Sequence, residues 1–372
     1  MAPGGEVDRP RLASLDVLRG LTIVGMIVVN SAAFMFYAVD APVFPALMHA
    51  HWRGYTVADA VFPAFVFMTG VSIPLALGLA GEGLSGAALG RLLARAGRLF
   101  LLGVILSNLY WMATPDSVVF RPMGVLQRLA LAFLAAAVLY KMLGSRARLI
   151  VAIALLALYW PLCLAPYPGG AADLTIPGAN LVGWIDRLVL GGHTYVKGAL
   201  GYDPEGLVST FPAIAQALLG VAAGEWLVAP HSRNGRGPLG LLLAGVALVA
   251  GGLAWGLAFP ISKELWTSSF VLLSTGVPLI LLAGLHWALD LNGARLPGTR
   301  VLSDFGINAV FAYGLHMLTS EVPGAGVLKI AYAKAVPVIG AETAALIPVA
   351  AYVALIWLVL AYMRKRGWVV KV

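Results

Sequence analysis

Ten separate stretches of this sequence stay apolar for 15 to 23 residues each. A bilayer's hydrocarbon core is about 30 Å thick and takes about 20 helical residues to cross. The stretches are Leu18–Tyr37, Val57–Leu79, Leu99–Ala113, Met123–Leu143, Leu149–Ala165, Leu207–Val228, Leu239–Phe259, Leu265–Leu285, Val301–Thr319 and Ala344–Tyr362. The third is short and is expected to begin inside the arginine-bearing segment before it, whose side chains snorkel to the interface. Gly326–Val336 suggests a short helix lying at the surface. Little remains for a water-facing exterior: 60% of residues are apolar and 11% charged, with a mean hydropathy of +0.89. A soluble domain carries about 25% charged residues. The expectation is an all-α polytopic integral membrane protein, a single domain over residues 1–372, with both termini cytoplasmic. Residues 1–16 would form a cytoplasmic segment and residues 166–206 a long outer loop. No short apolar core followed by a cleavage site precedes the first span, which is therefore expected to insert as an anchor. The one cysteine, Cys163, lies in an apolar run and permits neither a disulfide framework nor a cysteine metal site.

The net charge of +8 could suggest nucleic acid, but its placement argues otherwise. With the N-terminus inside, 17 basic residues fall in inner segments, among them Arg9, Arg11, Arg19, Arg91, Arg95, Arg98, Lys141 and Lys371. Seven fall outside, including Arg121 and Lys263, and Arg128 is left within the fourth span. That asymmetry is a topology signal. It puts His49 and His51 on the outer face, with Asp59 in the first turn of the second span. Pro63, four residues on, is expected to kink that helix and free the Asp59 carbonyl. Asp59 also suits a plain helix start, where negative charge is favoured.

Other polar groups fall inside spans. Asn30 is 11 residues past Arg19, roughly 16 Å along a helix and so near mid-membrane. Gln127 and Arg128 occupy the fourth span, and Asp304, Asn308 and His316 the ninth. An intramembrane arginine faces a partner or a wet cavity, and Arg128 could pair with Asp304. A lone asparagine is commonly interhelical glue. Several polar groups over four spans argue instead for a polar cavity, which serves a transporter or an enzyme equally.

Particular strings separate the two. SLDVLRGLTIVGMIVVN (Ser14–Asn30), HAHWRGYTVADAVFPAFVFMTG (His49–Gly70) and GVLQR (Gly124–Arg128) are followed by IDRLVLGGHTY (Ile185–Tyr195), YDPEGLVST (Tyr202–Thr210), ISKELWTSSFV (Ile261–Val271) and NAVFAYGLH (Asn308–His316). In this order, over nearly the whole chain, they resemble the heparan-α-glucosaminide N-acetyltransferase family of transmembrane acetyltransferases, which has bacterial members. The resemblance implies that His49, first histidine of the HAxW string, is catalytic, with Asn30 in the first span and Asp59 ten residues on. The family has a small residue where this chain has His51, so no role is carried to His51. The gap from Asn30 to His49 is longer here. The animal members' luminal N-terminal domain and additional first span are not matched, which leaves the acceptor open.

The family implies transfer of the acetyl group of cytosolic acetyl-CoA to the amine of a terminal glucosamine across the membrane, here the inner membrane of a bacterium. Expected partners are acetyl-CoA, glucosamine or a glucosamine-terminated saccharide and the bilayer, with a homodimer left open; no nucleic acid and no metal are expected. Inner arginines suit the nucleotide phosphates. Histidine titrates where it can take a proton from a sugar amine. Asn30 would stabilise the oxyanion, and Asp59 would orient His49. Direct attack with His49 as base is the expectation; a route through acetyl-histidine remains open.

Substrate or CoA contacts are expected from Trp52, Gln127, Arg128, Lys263, Trp266, Asp304, Asn308 and His316. Each has a plainer reading. Trp52 and Trp266 are ordinary at interfaces. Asp203-Pro204-Glu205 suits a helix start before the sixth span. Lys263 would serve a salt bridge or an anionic sugar group. His49 with His51 makes a weak zinc pair. The rivals to an acetyltransferase are a sugar permease using the same cavity and a non-catalytic assembly factor. A permease has no evident need for the HAxW string.

Overall fold

The chain, seen in a computed structural model, is described over residues 12–78, 81, 83–320 and 325–370. Arg9, Arg11, Lys371 and the expected span end at Leu79 lie outside these residues. Among them, the long apolar runs form helices: α1 (Ala13–Val39), α2 (Val57–Leu77), α3 (Gly86–Ser107), α4 (Leu109–Ala113), α5 (Val125–Met142) and α6 (Ser145–Leu164). They continue as α7 (Leu181–Leu190), α8 (Thr210–Val228), α9 (Arg236–Gly256) and α10 (Ser268–Leu285), the last prolonged by a π turn over His286–Leu291. The final four are α11 (Thr299–Ile307), α12 (Ala309–Thr319), α13 (Ala325–Ile339) and α14 (Ala341–Lys365). The described helices number eight that are each long and apolar enough to cross a membrane, and the pair α11–α12 makes a ninth, bent by 85°.

Helix α3, which covers most of the expected third span, is long but carries too many charges to count with these nine. It starts thirteen residues before the expected Leu99, at Gly86, with Ser85 capping its first turn through the Ala88 amide. It runs antiparallel to α5 from end to end. At one end the Gly83 amide donates to Lys141, at 3.1 Å; at the other, Asn108 and Arg121 exchange two hydrogen bonds of 2.7 and 2.8 Å. Arg91 and Arg95 sit in its first half and Arg98 just past its middle. Arg95 lays its guanidinium 4.7 Å from the Phe133 ring, the stem covering apolar surface while the charge stays near the helix end.

Close helix approach depends on residues without side chains. A Cβ at Gly70 would strike the Ala217 backbone, and one at Gly220 the Phe67 carbonyl, so α2 and α8 meet backbone to backbone. Gly20 against Leu302 does the same for α1 and α11. In a bilayer, where burial of apolar surface against lipid gains little, such contacts supply the packing.

Two expectations are corrected. The ninth span is not one helix. Asn308 leaves helical geometry (φ −112°, ψ 39°) because its side chain takes the C-terminal tail: Oδ1 accepts from the Val370 amide at 2.9 Å, and Nδ2 donates to the Trp368 carbonyl. Asp203-Pro204-Glu205 does not start a helix. Helix α8 begins at Thr210, and the two acids are turned toward Arg121 instead. The expected surface helix exists as α13, packed along α14.

Residues 166–206, expected as a long outer loop, fold into a cap. Trp52, Tyr159, Cys163, Leu174, Val182, Tyr202, Val208, Phe259 and Leu265 share one buried cluster, and the Trp52 indole donates to Leu174 at 2.8 Å.

Candidate active site

The histidine-bearing loop is closed by backbone strain. Trp52 adopts φ 58°, a left-handed conformation uncommon for so large a side chain, and Gly54 has φ 123°. The Gly54 amide then donates to Ile261 at 2.9 Å, pinning this loop to the one that carries Lys263. The turn folds His49 back over the start of α2. There Asp59, wholly buried, receives the His49 Nδ1 at 2.8 Å on its Oδ1. Its Oδ2 accepts from the amides of Ala50 (3.1 Å) and Thr56 (3.0 Å) and lies 3.0 Å from the Thr56 hydroxyl. Asp59 therefore both caps α2 and orients the imidazole. Helix α2 continues unbroken through Pro63.

With Nδ1–H given to the carboxylate, the network assigns the lone pair to Nε2. Lys263 Nζ stands 3.0 Å from that atom and 3.1 Å from Nδ1, against the ring rather than in line with either nitrogen. Its turn is fixed by reciprocal bonds between Ser262 and Thr267, and by a Trp266 amide donating to the Lys263 carbonyl at 3.0 Å. Burial pushes the Lys263 ammonium below its ordinary pKa, opposed by the nearby acids Glu205, Asp59 and Glu264. Trp266 is fully buried, also left-handed (φ 51°), with its indole nitrogen 3.2 Å from Gln216 Oε1. Phe62 and Phe270 meet it edge-on, so it presents no face to the outside.

Arg128 does not pair with Asp304. It lies in the first turn of α5, fully buried, 4.7 Å from the Trp266 ring, with Nη2 donating to Gly206 (3.3 Å) and to the Ser209 hydroxyl. Gln127 is buried beside it, wedged against Gly103 and Gly124. Above them Arg121 bonds Asp203 at 2.9 and 2.5 Å and Glu205 at 2.5 Å. The sequence reading singles out Asp203 and Glu205 only as a helix start, and it misses Asp186 and Arg121 as their neighbours and Thr56 as that of Asp59. Asp186 on α7, Arg121 before α5 and the Asp203–Glu205 turn meet only through the fold, whereas Thr56 stands three residues before Asp59 as a capping-box partner.

The remaining expected residues stand elsewhere. Asn30 faces a groove between α1, α12 and α14, its amide 3.2 Å from His316 Nε2, and His316 Nδ1 is 3.2 Å from the Tyr352 hydroxyl. Asp304 bonds Arg364 at 2.6 and 2.5 Å and Trp357 at 3.1 Å, next to the tail that Asn308 holds. Trp52 packs edge-on against Tyr202 within the cap.

At the other end of the bundle, a cavity of about 420 Å³ opens between α2, α3, α5 and the α11–α12 bend. Arg19 and Arg95 line it, and Arg19 is held by Asp16 and by the Ser72 hydroxyl at 2.8 Å. A second cavity, of about 480 Å³, carries Arg91 and Lys141 and shares Ala76 and Leu77 with the first.

Residues 11–251 match the protein family described as heparan-alpha-glucosaminide N-acetyltransferase, catalytic. The chain is similar to the human heparan-alpha-glucosaminide N-acetyltransferase, 28% identical over 364 residues covering 82% of this chain and 53% of that protein. It is also similar to the mouse protein of the same name, 30% identical over 366 residues with the same coverage. The chain spans about half the length of these relatives.

Proposed function

The chain belongs to the heparan-α-glucosaminide N-acetyltransferase catalytic family, and on that premise we propose that it is a transmembrane acetyltransferase, carrying acetyl from cytosolic acetyl-CoA to the amine of a glucosamine on the outer side of a bacterial inner membrane. The observation that carries this reading is the His49–Asp59 pair, at 2.8 Å, standing at the opposite end of the bundle from two basic cavities. Acetyl-CoA is long, anionic at one end and reactive at the other. Arg91 and Lys141 in one cavity and Arg19 and Arg95 in the next suit its phosphates, since guanidinium groups bind phosphate oxygens with charge-assisted hydrogen bonds. The pantetheine arm would then run up along α2 toward His49.

The acceptor chemistry follows from the network. Asp59 holds Nδ1–H, which leaves Nε2 as base. Lys263 Nζ lies against the ring, 3.0 Å from that atom and 3.1 Å from Nδ1, and marks where the incoming amine would approach. The amine nitrogen adds to the thioester carbon, Nε2 takes its proton, and the C–S bond breaks to release CoA thiolate. Nothing in this sequence of steps needs an acetyl-histidine.

The test is release of free CoA thiol by purified protein across a panel of aminosugars. The expected result is thiol production that depends on an aminosugar and is lost in His49→Ala. Release at the unaltered rate from that variant, or sugar moved unmodified across proteoliposomes without acetyl-CoA, contradicts the reading.

A further inference from the structure

Attack on a thioester puts negative charge on the acetyl oxygen, and a group must receive it. Asn30 suits the task by residue type, but its amide faces the groove of α12 and α14, 3.2 Å from His316. Lys263 is held against the imidazole. Among the described residues two arginines are buried; Arg148 is paired with Glu225, which leaves Arg128. Arg128 has no exposed surface; of its three guanidinium nitrogens only Nη2 has partners, while Nε and Nη1 have none among the described residues.

That arrangement is unusual, because buried donors are almost always paired, and a desolvated cation most of all. Fixing the Gly206–Ser209 turn needs the one nitrogen already used. The guanidinium also packs between residues of the Arg19–Arg95 cavity and the loop that touches the base. Leu129, the next residue of α5, lines the cytosol-side cavity, as does Phe65, one turn along α2 from the Phe62 that packs on Trp266. On the outer side, the guanidinium stacks on Trp266, whose amide bonds the carbonyl of Lys263, the residue touching His49.

We propose that Arg128 is a catalytic residue of the transferase, its Nε and Nη1 donating to the thioester carbonyl oxygen and to the oxyanion that this oxygen becomes. The assignment rests on the acetyltransferase reading of the site. As the amine nitrogen bonds the carbonyl carbon, the π pair moves to the oxygen beside Arg128. It returns when the carbon–sulfur bond breaks, the thiolate leaves and the amine proton rests on His49. Arg128 holds no proton of the reaction and is unchanged at its end.

The experiment joins kinetics with infrared spectroscopy on the full chain. Arg128→Gln is expected to lower kcat by roughly 10²- to 10³-fold, the cost of an oxyanion donor, with KM for glucosamine within about threefold and Arg128→Lys recovering about tenfold. In the unmodified protein, acetyl-CoA labelled with ¹³C at the carbonyl should show its C=O band at lower wavenumber than free acetyl-CoA. This readout stands even if the variants do not fold. A band at the free position, or an Arg128→Gln kcat within threefold of the parent, overturns the assignment and leaves the transferase reading intact. No thiol release from the unmodified protein with any aminosugar overturns both.

Discussion

The imidazole of His49 is oriented by a carboxylate with no freedom of its own. Oδ2 of Asp59 is committed to the Ala50 and Thr56 amides, so only Oδ1 remains for Nδ1. Asp59→Asn therefore has a defined consequence. The amide oxygen must stay with the two backbone donors, its NH₂ then points at Nδ1, and the ring is forced into the tautomer with hydrogen on Nε2. The base is lost while the fold is kept. The expected result is a fall in kcat of roughly 10²- to 10⁴-fold with little change in KM, read by thiol release; unaltered kcat would mean that the carboxylate only caps α2. The ten-residue spacing of His49 and Asp59 was legible in the sequence, through the family likeness. The contact of Lys263 with His49 was not, because 214 residues separate them and nothing local marks the meeting. Nor was the contact of Asn30 with His316 legible. Depth along a helix follows from residue count, but the face a side chain takes depends on which helices lie beside it.

At the scale of elements, the apolar runs gave the helices and their order, since bilayer thickness fixes length. What they missed is where polar side chains override apolar continuity. Asn308 interrupts an apolar run to bind the tail, and α3 reaches thirteen residues into a basic stretch because a buried stripe of Leu92, Ala96, Leu99, Gly103 and Leu106 runs along it between the arginines. The cap has its own local logic. Asp186 on α7 is buried, accepts the Leu207 amide at 3.0 Å and the Asp203 amide at 3.4 Å, and so shapes the turn presenting Asp203 and Glu205 to Arg121. Burial pushes its carboxyl up to about 6, more than those two amides offset. Because the folded pKa exceeds the unfolded one, rising pH strips the proton from the unfolded chain first. Stability is lost between about pH 4 and pH 6, on the order of 3 kcal/mol, and stays lower above. Asp186→Asn has no such proton to lose. Thermal unfolding of the two proteins from pH 4 to 7 should show the difference moving in favour of the variant by that amount; a constant difference would contradict it.

Across the whole molecule, the charges fall at two ends. Arg19, Arg91, Arg95 and Lys141 line cavities at one, while His49, Lys263 and the Arg121 acid cluster stand at the other. Between them lie Phe62, Trp266 and Phe270, with Arg128 stacked on the tryptophan. Such a division serves a reaction whose two substrates never share a compartment. The direct measurement is acetyl transfer in sealed proteoliposomes of fixed orientation, with acetyl-CoA confined to the side of Arg19 and glucosamine to the side of His49. The account predicts N-acetylglucosamine on the His49 side only, CoA thiol on the other only, and no product when the two substrates are exchanged. Product formed equally well with both substrates restricted to the His49 side would contradict it.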